Sequence, residues 1–253
     1  MATLTHSGIS PLNIKGVSLN RPFIWLRQGW DDLRHNPAAS LAYGFIVSAL
    51  GALLLTFWSH PYFIAADITG FLLVGPMFTA GLVQLSRCRE RGAPVGFGDS
   101  LSALGDHRDA LVRFALGLLV IGAVWFAAST IMMDMALGSA APGVTETMWS
   151  GMLYHVSTAQ SLSYVGVGGI LAAIVFTRSV VAVPIIIDRD ADAATAVRAS
   201  YGATFADLPA MLVWAALIVA LVAFGFITML IGMIVVFPLL GHATWHAYRD
   251  LIG

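Results

Sequence analysis

A chain of 253 residues that is 58% hydrophobic and 11% charged departs from an ordinary soluble domain, which is about a quarter charged and under half apolar. Its 13 Lys and Arg and 14 Asp and Glu are too few to clothe a globule of this size in water, so lipid must cover much of the surface. The net charge of −1 offers no handle for nucleic acid, and the single cysteine, Cys88, excludes an internal disulfide or a cysteine cluster for zinc or iron–sulfur.

Residues 1–20 hold Lys15 but no apolar segment before Arg21. No cleavable signal peptide is expected there, and the Ser, Thr, Asn and Gly content reads as a disordered cytoplasmic tail. One crossing needs about 20 mainly apolar residues. Such blocks fall at roughly 37–59, 61–86, 110–136 and 163–187, and the tract 208–248, free of Asp, Glu, Lys and Arg, is long enough to cross twice with a turn near Gly225. The expected fold is all-α and polytopic, with six transmembrane helices as three helical hairpins in one domain, 21–253.

Basic residues set the orientation. Lys15, Arg21, Arg27 and Arg34, then Arg87, Arg89, Arg91, Arg108 and Arg113, then Arg189 and Arg198, and finally Arg249 all fall on one side of the six-span chain. The opposite segments, His60–Pro61, Leu137–Leu162 and the turn near Gly225, have no Lys or Arg. Positive charge accumulates in the cytoplasm, so both termini are expected there.

An ungapped overlay of 78–111 on 176–209 pairs Phe78-Thr79 with Phe176-Thr177, Glu90-Arg91 with Asp188-Arg189 and Asp109 with Asp207. Asn36 takes the equivalent place in a first unit, giving repeats of roughly 21–92, 93–190 and 191–253. Asn36, Asp109 and Asp207 each precede an odd-numbered span, where a side-chain oxygen can accept from free first-turn N–H groups, so they read as N-caps. A short amphipathic cytoplasmic helix is expected before each hairpin, with apolar faces Phe23, Leu26, Trp30 and Leu33; Phe97, Leu101 and Leu104; and Ala194, Val197, Tyr201 and Phe205. Pro76, Pro184 and Pro238 are expected to kink the even spans.

With Gly29-Trp30-Asp31-Asp32-Leu33, the Asn36-Pro37 start of span 1 and the threefold hairpin order in view, the chain from about residue 21 resembles an uncharacterised family of bacterial inner-membrane proteins. Some members of that family are labelled cytochrome c oxidase subunits. The resemblance implies an inner-membrane location and a respiratory complex as partner; it supplies no active site.

Candidate chemistry is sparse. Arg178 lies about ten residues, or ~15 Å of helix, from Asp188-Arg189 and so falls near mid-membrane, where an ionisable group is costly and defaults to a functional candidate. Asp67 and Asp134 are its candidate partners, both nearer the outer face. His242 and His246 stand one turn apart on span 6, a spacing that fits two ligands of a metal or a haem edge but not a complete set; no cofactor is expected. His35 and His107 lie at the same cytoplasmic boundary. Gly169 with Ala173, and Gly44 with Ser48, form small-residue faces for close helix packing. The outer connection 138–162 has Glu146 as its one charge and is a candidate docking loop. No catalytic motif is present, so three readings stand: a non-enzymatic accessory or assembly protein of a membrane complex, a small-solute or lipid transporter using Arg178, and a haem or metal protein.

Overall fold

The computed structural model describes residues 16–55, 75, 78–93, 96–137 and 157–253. Among them every regular element is helical. The expected tail up to Lys15, Asp67, Pro76, His60 and most of the outer connection, with Glu146, lie outside the described residues.

Helix α1, Arg21–His35, carries Pro22 in its first turn, where a missing N–H costs nothing, and Arg34 and His35 in its last, where positive charge suits the helix C-terminus. It stops at Asn36 because Pro37 follows, and a residue before proline is driven out of the helical region. Asn36 accordingly sits at φ −131° and ψ 66°. Helix α2, Pro37–Leu55, leaves at 107° to α1. The next helical stretch, α3, covers 78–90.

Two short helices, α4 (Phe97–Ser100) and α5 (Ser102–Asp106), stand where one amphipathic helix was expected. They lead into α6, Arg108–Leu137, the longest helix among the described residues. Helix α7, Thr158–Ser179, begins with a reciprocal cap: the Gln160 N–H donates to Ser157 Oγ at 3.2 Å, and the Ser157 N–H donates to Gln160 Oε1 at 2.8 Å. The expected outer connection therefore ends at Ser157, five residues earlier than the hydropathy boundary at 162 indicated, because the polar Thr-Ala-Gln-Ser run is a helix start rather than loop.

After a turn at Val180–Val181 comes α8, Ala182–Arg189. The break lies one turn before Pro184, whose ring clashes with the carbonyl four residues back, that of Val180. Ser200 secures the break by donating to Thr177 O at 2.8 Å, with the Val181 N–H 3.5 Å from the same hydroxyl. Pro238, by contrast, sits inside a continuous helix, so the expected kink there is not a break.

Helix α9, Ala193–Ala206, is capped by Asp192, and Asp207 ends it while capping α10, Leu208–Ile227. The last helix, α11, is Met233–Leu251. The turn between α10 and α11 is at 228–232, not at Gly225. Met229 and Leu230 take positive φ there, and Thr228 ties it by accepting from Gly232 N at 2.9 Å. Gly225 is instead a packing contact: a Cβ on it would fall 2.4 Å from Met233 Sδ.

Arg108–Met132, Thr158–Arg189 and Leu208–Ile227 are each long and apolar enough to cross a membrane, and the bent pair Arg21–His35 with Pro37–Leu53 makes up to four. Their outer faces fit lipid: Val120, Val165 and Val219 are each at least 65% exposed. The interior is mainly apolar, but Asp32, Ser40, Ser86, Ser200 and His242 are among its buried residues.

The apolar faces named for the amphipathic helices are partly exposed. On α1 the buried side is Pro22, Trp25, Gly29, Asp32 and Leu33, while Phe23 and Trp30 are 56% and 42% exposed. On α9 the buried side is Ala196, Ala199, Ser200, Ala203 and Thr204, while Phe205 is exposed. Small and polar residues take much of the protein-facing side, joined by Trp25 and Leu33 on α1, while Phe23, Trp30 and Phe205 face outward.

Candidate functional site

The site is built where α1, α2, α3 and α11 meet. Two glycines let their backbones close up. A Cβ on Gly44 would fall 2.0 Å from Ile234 O, and one on Gly29 would fall 2.7 Å from Ala243 N. Ile234 is four residues before Pro238, so its carbonyl has no proline N–H to accept, and Gly44 is the residue that packs against it. These contacts hold α11 against both α2 and α1, and aim His242 and His246 at residues on three other helices.

His242, 1% exposed, lies between two serines. Its Nε2 is 2.9 Å from Ser40 Oγ on α2, and its Nδ1 is 2.7 Å from Ser86 Oγ on α3. Ser40 donates to Asn36 O at 2.8 Å, and Ser86 donates to Asp32 Oδ2 at 2.5 Å. Asp32, 6% exposed, also accepts from His246 Nε2 at 2.9 Å and pairs with Arg89 through Oδ1.

Beside this network is a cavity of about 310 Å³ lined by Asp32, His35, Asn36, Leu85, Arg89, Ala93 and His242. Ligand pockets start at roughly 300 Å³, so the space suits a small molecule. The wall offers a carboxylate, a guanidinium and imidazoles, which can bind the polar groups of a solute and exchange protons.

A second polar layer ties α3 and α11 to α8. Asp188 accepts from Arg87 Nε at 3.0 Å, Arg91 Nη2 at 3.1 Å and Tyr248 Oη at 2.8 Å. Arg189 donates to Tyr248 Oη at 3.0 Å and to Ile252 O at 2.8 Å. Glu90 accepts from Trp245 Nε1 at 2.9 Å and pairs with Arg249 at 3.0 Å. The two acid–base pairs matched by the sequence overlay, Glu90-Arg91 and Asp188-Arg189, thus meet each other and α11.

Of the sequence candidates, His242 and His246 join one network, but as hydrogen-bonded partners of serines and Asp32. Among the described residues no group of three or more His, Cys, Asp or Glu is placed to hold a metal. His35 lines the cavity, whereas His107 is 3.1 Å from Asp190. Arg178 is at the end of α7, half-buried, with its Nε buried and lacking a hydrogen-bond partner among the described residues, and its Nη2 near Gly117. Asp134 is exposed on the last turns of α6, and Asp67 is outside the described residues.

Asp207 caps α10 by accepting from Ala210 N at 3.3 Å, and its backbone, φ −141° and ψ 65°, nearly repeats that of Asn36. Asp109 is not a cap. Helix α6 already begins at Arg108, with His107 O accepting from Leu111 N, so Asp109 lies within the first turn. A Cβ on Gly169 would meet no atom within 4 Å among the described residues, unlike one on Gly44.

Asp32, Ser40, Ser86 and Arg89 went unselected by sequence reasoning. Asp32 had a signal, a carboxylate inside the Gly-Trp-Asp-Asp-Leu stretch one turn before Asn36-Pro37; a lone serine in an apolar helix has none.

Residues 63–188, about half of the chain, match a family model described as "Predicted integral membrane protein (DUF2189)". The chain is a member of an uncharacterised family of integral membrane proteins. The matched segment contains Ser86, Arg89, Arg178 and Asp188, and leaves Asp32, Ser40, His242 and His246 outside it. No curated protein and no solved structure matches the chain.

Proposed function

We propose that the protein is a non-enzymatic inner-membrane transporter of a small polar solute, with its binding site in the Asp32–Arg89–His242 cavity rather than at Arg178. The observation that carries this reading is the cavity itself. Four helices spend two buried serines, a buried aspartate and a buried histidine on lining and bracing a space that hydrocarbon side chains would fill more stably. Buried polar networks of that kind in membranes mark substrate and proton pathways.

The proposed topology has six spans, three hairpins in a threefold repeat, and both termini in the cytoplasm. Arg21 and Trp25, near one end of the described chain, both donate to Asp250 at the other, with Nε to Oδ2 at 2.7 Å and Nε1 to Oδ2 at 2.5 Å. Ends that touch lie on one side of the bilayer, which supports an even number of crossings. The cavity is lined by residues flanking the α1–α2 bend and the end of α3, and so opens towards the cytoplasm in this topology.

The test is a thermal-shift screen of small polar solutes on the purified full chain, followed by uptake into vesicles. A hit that raises the melting temperature of the wild type and not of Arg89→Gln, and that is taken up, supports transport. Stoichiometric respiratory subunits retained in mild detergent, with no solute effect, favour the accessory role instead. A haem absorption band lost in His242→Ala favours the cofactor role and overturns transport.

A further inference from the structure

Four contacts run in series from Asn36 to Asp32: Ser40 Oγ to Asn36 O at 2.8 Å, Ser40 Oγ to His242 Nε2 at 2.9 Å, Ser86 Oγ to His242 Nδ1 at 2.7 Å, and Ser86 Oγ to Asp32 Oδ2 at 2.5 Å. Each needs one hydrogen. A carbonyl only accepts, so Ser40 gives its single hydroxyl hydrogen to Asn36 and must receive from His242 Nε2. A carboxylate also only accepts, so Ser86 gives its hydrogen to Asp32 and must receive from His242 Nδ1. An imidazole donating at both nitrogens is imidazolium. One other arrangement fills every contact: Asp32 Oδ2 carries the hydrogen and donates to Ser86, Ser86 donates to Nδ1, and neutral His242 donates from Nε2 to Ser40.

Either way the chain holds one proton more than a carboxylate and a neutral imidazole supply. Without it one contact is left empty. The least costly to lose is Ser40 to Asn36 O, because that carbonyl keeps the Ser40 N–H at 3.1 Å.

We propose that Asp32, Ser86 and His242 form a one-proton binding site and relay beside the cavity. In the relay step the Nδ1–H bond of His242 breaks as an O–H bond forms on Ser86. The original Ser86 O–H bond breaks as one forms on Asp32 Oδ2, and no electrons are transferred. The proton comes from water through the cavity, which both Asp32 and His242 line. The charged and titratable groups facing the relay are Arg89 from α3, paired with Asp32 Oδ1; His246 from α11, which needs only a neutral N–H to reach Asp32 Oδ2; and His35 at the end of α1. Helix α2 contributes Ser40, and the residue before the helix is Asn36; neither titrates. The inference rests on the reading of the cavity as a solute site and names the species coupled to it, since a solute there meets a different charge in each protonation state.

The deciding experiment is an infrared pH titration of the full chain in lipid nanodiscs, free of any solute, for wild type, Asp32→Asn, Ser86→Ala and Ser86→Thr. The wild type should show one step in which histidine and carboxyl bands change together. Asp32→Asn, whose amide donates to Ser86 at every pH, should lose that step. Ser86→Ala should split it into two independent titrations, and Ser86→Thr, which keeps the hydroxyl, should restore it. A step unchanged in Asp32→Asn, or independent histidine and carboxyl steps in the wild type, overturns the relay. If Ser86→Ala does not fold, Asp32→Asn and Ser86→Thr still decide. A coupled step with no solute found leaves the relay standing and counts against transport alone.

Discussion

Asp192 shows how one side chain sets a boundary outside the membrane. It caps α9 by accepting from the Thr195 N–H at 2.7 Å, and that bond, ahead of a small opposing effect of burial, lowers its carboxyl below the ordinary value. A depressed carboxylate contributes stability above its unfolded pKa of about 3.9 and loses it as pH falls through the lower folded value. Asp192→Ala should therefore cost about 1 kcal/mol at neutral pH, the usual worth of such a cap, and much less at pH values below the carboxylate range. Amide exchange of Ala194 to Ala196 at the two pH values measures this locally. Equal protection of wild type and variant at neutral pH would show that the cap contributes nothing.

At the scale of the element, the helix break at Val180–Val181 rests on Ser200, which is fully buried. Ser200→Ala removes the donor to Thr177 O and exposes the broken turn. Hydrogen bonds between membrane helices average about 0.6 kcal/mol, and the loss here should reach about 1 kcal/mol or more because the carbonyl freed has no water to replace it. Ser179→Ala, which loses only a bond to Val175 O of its own helix, should shift thermal unfolding in detergent little; equal losses for the two serines would mean that Ser200 does not secure the break.

Glycine gives a sharper contrast. Gly44→Ala drives a methyl into Ile234 O and should cost about 1–3 kcal/mol by overpacking, whereas Gly169→Ala meets open space and should gain up to about 1 kcal/mol in helix propensity. The same thermal scan checks both, and a neutral Gly44→Ala would contradict the close α2–α11 approach. Sequence treated these two glycines alike, as small-residue faces, because spacing alone does not say which face meets a helix and which meets lipid. On α1 and α9 the same distinction between lipid and protein applies: Phe23, Trp30 and Phe205, on the apolar faces read from sequence, are exposed, while Asp32, Ser200 and Thr204 are buried.

For the whole molecule, membrane class and the starts of α2 and α10 were legible because they depend on local rules: span length, the residue before a proline, and an aspartate before a helix; α6 instead begins at Arg108, ahead of the expected cap Asp109. The site was legible only in part. The i, i+4 spacing of His242 and His246 marked a face, but their partners come from positions up to 214 residues away in sequence, and no periodicity carries that information. Arg178 drew attention because a charge in an apolar run is conspicuous, yet the network that the structure builds uses Asp32 and Arg89 at helix ends. Orientation can be tested without knowing the substrate. In the proposed topology the contact of Arg21 and Trp25 with Asp250 keeps both ends on one side, and the basic segments around Arg87 to Arg113 and at Arg189 and Arg198 argue that this side is the cytoplasm. Reporters fused after residue 150 and after residue 195 should therefore read outside and inside respectively, with α7 and α8 forming the one broken crossing between them. Both inside would make α7–α8 re-entrant and reduce the crossings; both exchanged would invert the protein and turn the Asp32–His242 cavity to the outer face, where the proton it binds would come from the other compartment.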